Sequence, residues 1–197
     1  MLLCQLRNSA IRYVCWCVIV YVYVLHVVWM SAYSYTALHC TVGSNQLAGI
    51  HPDFYYSCTK IRQLMLYRNK LSVIPSEISQ LEHLEKLSLA SNNLQSIPEE
   101  ISMLKELYLN NNAKFNHFPS SAGHLRNLQE LAMRKCPALK GLPASAGEMS
   151  NLRELDVRAA KKQVCKIPPE VMGVLSAQHC SVRGGVVKKA KGKKKAK

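Results

Sequence analysis

One pattern recurs along the middle of the chain and restricts its fold more than any other feature. Its cleanest copy runs Leu84-Glu85-Lys86-Leu87-Ser88-Leu89-Ala90-Ser91-Asn92-Asn93-Leu94-Gln95-Ser96-Ile97-Pro98. By residue type this is L-x-x-L-x-L-x-x-N-x-L-x-x-I-P. Leu87 and Leu89 alternate with polar neighbours, a period of two, so Leu87-Ser88-Leu89 reads as a short strand with one face inward. Asn92 ends the strand, and its amide suits the backbone groups of a buried turn. Leu94 and Ile97 point back to the core from a segment that Pro98 keeps from becoming a helix. Ile101 and Leu104 return the chain on the far side. One such coil cannot bury its own leucines, whereas a stack of coils can. Repetition therefore implies a solenoid.

The copies follow in order. The first is degenerate: Ala37, Cys40, Val42, Asn45, Leu47, Ile50 and Pro52, with Tyr55 and Cys58 on the return. The second is Ile61, Leu64, Leu66, Asn69, Leu71, Ile74, Pro75, Ile78 and Leu81. The third is the run above, continued to Met103. The fourth is Leu104, Leu107, Leu109, Asn112, Phe115, Phe118, Pro119, Ala122 and Leu125. The fifth is Leu128, Leu131, Met133, Cys136, Leu139, Leu142, Pro143, Ala146 and Met149. The sixth is Leu152, Leu155, Val157, Ala160, Val164, Ile167, Pro168, Val171 and Val174, and a half-unit follows at Ala177, Cys180 and Val182. Leu66, Leu89, Leu109, Met133 and Val157 are spaced 23, 20, 24 and 24 apart. The short third unit lacks one L-x-x step, which predicts an irregularity in its return segment. The structural ladder runs Asn45, Asn69, Asn92, Asn112 and then Cys136, an accepted occupant of that site. Ala160 follows and offers no side-chain hydrogen bond, which predicts looser final turns.

Residues 37–182 resemble a leucine-rich-repeat domain. The I-P-x-x-I-x-x-L-x-x-L return is similar to that of the short intracellular class, the Ras-group-related signalling scaffolds. The resemblance implies an α/β solenoid, a horseshoe with a parallel concave β-sheet and an irregular, 3-10 or short-helix convex side. It also implies a concave face that binds a protein partner. It names no ligand, since function lives in the site and not the fold. Members of this class usually carry more repeats or a cap, and an apolar N-terminal run is foreign to it.

Such a run is present here. From Tyr13 to Met30 there is no charged residue, and none occurs between Arg12 and Asp53. As a helix the run would be about 27 Å long, close to the ~30 Å hydrocarbon core of a bilayer. Tyr13, Trp16, Trp29 and Tyr33 sit near its ends, and Arg7 and Arg12 precede it. Aromatic ends with a basic N-terminal flank predict a single spanning helix, with the N-terminus in the cytoplasm and the repeats outside. Three readings are open: an anchor, a signal cleaved near Ala32-Tyr33-Ser34, and a start-site artefact or truncated array. The expected localisation is a membrane, with the cytoplasm as the alternative if the native protein lacks the run. The expected organisation is a basic flank at 1–12, a hydrophobic helix preceding the repeats at 13–33, the repeats at 37–187 and a disordered tail at 188–197.

The formal net charge is +14, and Lys188–Lys197 holds seven of the lysines, so the remainder is only mildly basic. Weak contact of this tail with an anionic surface or nucleic acid is the partner class it suggests. Without interleaved aromatics it gives no support to base-specific recognition. The eight cysteines form no C-x-x-C pair. Most read as buried free thiols, with a Cys40–Cys58 bridge as the alternative in an oxidising compartment. No N-x-S/T sequon occurs, which leans against a secreted glycoprotein.

No H-E-x-x-H, G-x-S-x-G or P-loop is found, and His83, His117 and His124 read as surface residues. A non-catalytic chain is expected, with no cofactor, metal or small-molecule substrate. The candidate protein-binding residues are outward strand positions, which align in columns from coil to coil. They are Lys86, Glu106, Glu130 and Glu154 in one column, with Met65, Tyr108 and Asp156 in the next. Tyr67, Asn110, Arg134 and Arg158 make the third, with Arg68 beside it.

Two substitutions test the register. Leu89→Ala is expected to cost about 2–5 kcal/mol as a core cavity. Asn92→Ala is expected to cost about 1–3 kcal/mol through unmet buried partners. Chemical denaturation that shifts for neither would place both residues wrongly.

Overall fold

The leucines at the centre of each strand decide the architecture. Leu64, Leu87, Leu107, Leu131 and Leu155 are fully buried, and the residues on either side of each face the opposite way. In the computed structural model, which describes residues 38–158 and 165–187, these leucines lie side by side across one parallel sheet. Its strands are β1 (His39–Thr41), β2 (Gln63–Met65), β3 (Lys86–Ser88), β4 (Glu106–Tyr108), β5 (Glu130–Ala132), β6 (Glu154–Asp156) and β8 (Ser181–Arg183), in the order β1-β2-β3-β4-β5-β6-β8. Each strand pairs with the next in the same register, so Leu64 meets Leu87, Leu87 meets Leu107, and Leu107 meets Leu131. The result is an open solenoid.

The strands are three residues long and sit one position earlier than Leu87-Ser88-Leu89. The hydrogen bonding nevertheless runs on past them: Leu89 N–H donates to Tyr108 O at 2.8 Å and Leu66 N–H to Ser88 O at 2.8 Å. The half-unit of the sequence is β8, where Val182 pairs with Leu155. Between β6 and β8 lie β7 (Lys166–Ile167) and the nine-residue helix α2 (Pro169–Ala177). After β8 comes β9 (Val186–Val187), which pairs with β7 on the flank. Gly184 has φ +86, and a Cβ there would stand 2.8 Å from the Arg158 backbone, so the last turn needs glycine.

The convex side is made of short pieces because each return segment spans only a few residues between prolines and leucines. Coil 1 uses the six-residue helix α1 (Pro52–Ser57), whose first backbone groups are capped by His51. Coils 2, 4 and 5 use single 3-10 turns at Ser76–Gln80, Ala122–His124 and Ala144–Glu148. Coil 3, with 20 residues from Lys86 to its partner Glu106, has only bends and turns there, as its missing step predicts.

Cys40 and Cys58 are not joined by a disulfide and are fully buried, as core positions of the coil stack. His83, His117 and His124 are exposed. One expectation is corrected. A spanning helix needs about 20 apolar residues, and among the described residues no helix is long and apolar enough to cross a membrane. In the described chain the apolar residues are spread at coil spacing over strands and turns, and so never make such a run. The membrane localisation therefore does not stand. Tyr13–Met30, on which it rested, lies outside the described residues, as do the 1–12 flank, Ala160 and the Lys188–Lys197 tail.

The ladder holds the turns through hydrogen bonds to the preceding coil. Asn69 Oδ1 accepts from Leu47 N–H at 3.1 Å, and its Nδ2 donates to Val42 O at 2.8 Å and Leu66 O at 3.0 Å. Asn92 repeats this with Leu71 N–H, Leu66 O and Leu89 O. Asn112 repeats it with Leu94 N–H, Leu89 O and Leu109 O. Asn45 is only half-buried and donates within its own coil, to Gly43 O at 3.1 Å. The residue before each ladder position takes a left-handed conformation: Ser44, Arg68, Ser91, Asn111 and Lys135, with φ from +54 to +61.

Cys136 breaks the series in an informative way. Its thiol donates to Leu109 O at 3.2 Å, replacing one Asn bond, but it brings no carbonyl. Coil 4 does not need one. It carries an extra residue between Asn112 and Phe115, and Phe115 N–H bonds Asn112 O within the same turn at 3.2 Å. Coil 5 does the same with Leu139 N–H and Cys136 O at 3.1 Å. Burial pushes the Cys136 thiol pKa up against smaller backbone effects, which keeps the thiol protonated as a donor. Cys136→Asn is therefore expected to destabilise the fold by about 1–3 kcal/mol through a buried carbonyl without a donor. Urea unfolding checks it, and an unchanged midpoint would contradict the local-bond account.

Candidate functional site

The outward residues of the sheet form the candidate site, and the parallel register sets their neighbours. Lys86, Glu106 and Glu130 stand in one column, followed by Glu154 and Ser181. Ser88, Tyr108, Ala132, Asp156 and Arg183 stand in the next. Met65 lies in that second column in coil 2. Tyr67 and Asn110 follow their strands and are half-buried, while Arg68, Arg134, Lys135 and Arg158 are exposed. The Tyr67 ring lies over Gly43, where a Cβ would come within 2.5 Å of it.

Three carboxylates in adjacent rungs repel one another, and the surrounding side chains answer this. Lys86 Nζ is 2.5 Å from Glu106 Oε2 and lies 5.2 Å from the centre of the Tyr108 ring. The Tyr108 hydroxyl reaches both Glu106 Oε2 at 2.8 Å and Glu130 Oε2 at 2.7 Å. A phenol has one proton, so it donates to one carboxylate at a time. Burial, reinforced by both carboxylates, pushes the Tyr108 pKa up, so the hydroxyl stays protonated. Burial works against the charge on Glu106, yet the bonds from Lys86 and Tyr108 outweigh it and hold its carboxyl below the usual range. At the other end Arg183 pairs with Glu154 at 3.0 Å.

The second cluster surrounds Asp156. Sequence reasoning placed Asp156 among exposed contact residues, but it is only 5% exposed. Arg158 donates to both of its oxygens, at 2.9 Å through Nε and 2.6 Å through an Nη, and Arg134 stands 4.0 Å away. Burial opposes the charge here too, but the Arg158 bonds and the Arg134 charge win and lower the Asp156 pKa. Asp156 is thus a support that fixes two arginines. Its depth could not be read from alternation alone, because it depends on how the long Arg158 side chain folds back. The Lys86–Glu106–Tyr108–Glu130 network was also missed, although its signal was visible: oppositely charged residues in one column with a tyrosine two residues on.

Among the described residues no group of three or more His, Cys, Asp or Glu side chains is placed to hold a metal. Burial, with a smaller contribution from Cys136, raises the Cys165 thiol to about 11.

The family described as a leucine-rich repeat region matches residues 26–177, most of the chain. The chain belongs to the leucine-rich-repeat family. The match begins ahead of Ala37, inside the apolar run. A leucine-rich-repeat protein of Leptospira interrogans has a similar solved structure, with a TM-score of 0.51 and 21% identity over 79% of this chain and 51% of that one. At that identity the likeness speaks for the fold alone, and this chain spans about half of that protein's length. In all, 194 solved chains match. No curated protein matches the sequence. Leucine-rich-repeat domains in general bind protein partners and are typically non-enzymatic.

The Asp156 cluster makes a pH prediction. A folded-state pKa below the unfolded one gives stability that is present above the unfolded value and lost as pH falls through the folded one. Asp156→Asn is expected to cost about 1–2 kcal/mol at neutral pH. The gap from wild type should close as pH falls below about 4, the ordinary aspartate range. Thermal unfolding across that range checks it; a gap that persists in acid would remove the charge from the explanation.

Proposed function

We propose that this leucine-rich-repeat domain is a non-catalytic scaffold that binds a protein partner on its concave sheet. The observation that carries the reading is the cluster of Lys86, Glu106, Tyr108 and Glu130 at the middle of that sheet. Tyr108 is half-buried and fixed at its hydroxyl, so it presents a ring already held in place, which lowers the entropy lost on binding. Exposed Arg134, Lys135 and Arg68 lie on one side of it. Tyrosine and arginine are the residue types most often found to anchor interfaces. The partner that fits presents basic groups toward Glu130 and acidic groups toward Arg134 and Arg158. The likeness of the return segments to Ras-group-related scaffolds makes signalling the setting in which to seek it.

Tyr108→Ala combined with Arg134→Glu is expected to abolish capture of a specific partner while leaving the melting temperature within a few degrees of wild type. Val73→Asp, at a strongly exposed position off the sheet, is expected to leave capture intact. Quantitative affinity capture with all three proteins checks this. Retained capture by the double variant would move the site off the concave face.

A further inference from the structure

The flank on which the chain leaves the sheet has its own small hydrogen-bond ladder, and that ladder has a gap. Asn116 N–H and His117 N–H donate to Gln95 O, joining coil 4 to coil 3. Lys166 N–H donates to Lys140 O and Leu142 N–H to Lys166 O, both at 3.1 Å, joining coil 6 to coil 5. Gly141 permits that approach, since a Cβ there would stand 2.5 Å from Lys166 O. β7 then pairs with β9. Between residues 116–118 and 140–142 no backbone hydrogen bond is formed among the described residues. A groove of about 520 Å³ lies here.

Its chemistry is one-sided. Phe118, Leu142 and Ile167 are almost fully buried and form an apolar floor. His117, Lys140 and Lys166 are exposed on its rim, and no Asp or Glu lines it. Proline residues 143, 168 and 169 stiffen one wall.

We propose that this groove is a second binding site, separate from the concave sheet, for an extended acidic peptide segment. An extended chain alternates its side chains, so apolar residues meet the floor while carboxylates reach Lys140 and Lys166. The chain's own Lys188–Lys197 follows β9 closely in sequence, but its charge is of the wrong sign to occupy the groove.

The test uses the full chain and a short fluorescein-labelled peptide of alternating glutamate and leucine, followed by anisotropy. A counterpart with lysine in place of glutamate is the control. Wild type is expected to bind the glutamate peptide in a salt-sensitive manner and not the lysine peptide. Lys140→Glu with Lys166→Glu is expected to weaken binding roughly tenfold or more by placing like charges together. Lys140→Gln with Lys166→Gln, which leaves the surface neutral, gives an intermediate loss and guards against misfolding of the reversed variant. Tyr108→Ala with Arg134→Glu should leave this binding unchanged, which separates the site from the concave one. No binding of the glutamate peptide, equal binding by both lysine variants, or loss in the concave variant alone would each overturn the proposal.

Discussion

The buried turn is the constraint on which everything else depends. A solenoid must turn its backbone at the end of each strand while that backbone is covered by the next coil, and covered N–H and C=O groups need partners. Asn69, Asn92 and Asn112 supply them, each with one acceptor and two donors aimed at backbone groups of its own coil and the preceding one. Because these bonds tie each coil to the one before, they also set the register in which the leucines stack. The sheet, the core and the columns on the concave face all inherit that register.

The leucine positions carried most of this fold openly. Their spacing located the coils, and the missing step between Ile101 and Leu107 located the coil whose convex side has turns without a 3-10 helix. The columns of outward residues followed from alternation. What alternation could not give was depth. Asp156 and Tyr108 occupy the same column, yet one is enclosed by arginines and the other leans between two glutamates. Long flexible side chains decide such arrangements, and their reach is not written in residue spacing. The meaning of Cys136 was hidden for a related reason. It depends on an N–H in the previous coil, at Phe115, whose local bond follows from one added residue.

Charge on the concave face is organised by the same economy of partners. Each acidic side chain in the central column is met by a cation or a phenol, so the sheet tolerates three carboxylates in succession. Glu130 is the member that holds only the phenol among the described residues, while the arginines at positions 134 and 158 are tied to Asp156. The face is therefore pre-arranged on one side and electrically open on the other.

The Asn-to-Cys change has a consequence for how the stack comes apart. In repeat arrays, stability is roughly a sum of unit terms and nearest-neighbour couplings. Asn69, Asn92 and Asn112 each make two side-chain bonds to the preceding coil, whereas Cys136 makes one. The flank ladder is interrupted at the same junction. Among the described ladder residues, the junction between coils 4 and 5 thus carries the fewest side-chain bonds. The domain has the makings of two cooperative blocks, with a seam along which amide protons would exchange in separate groups.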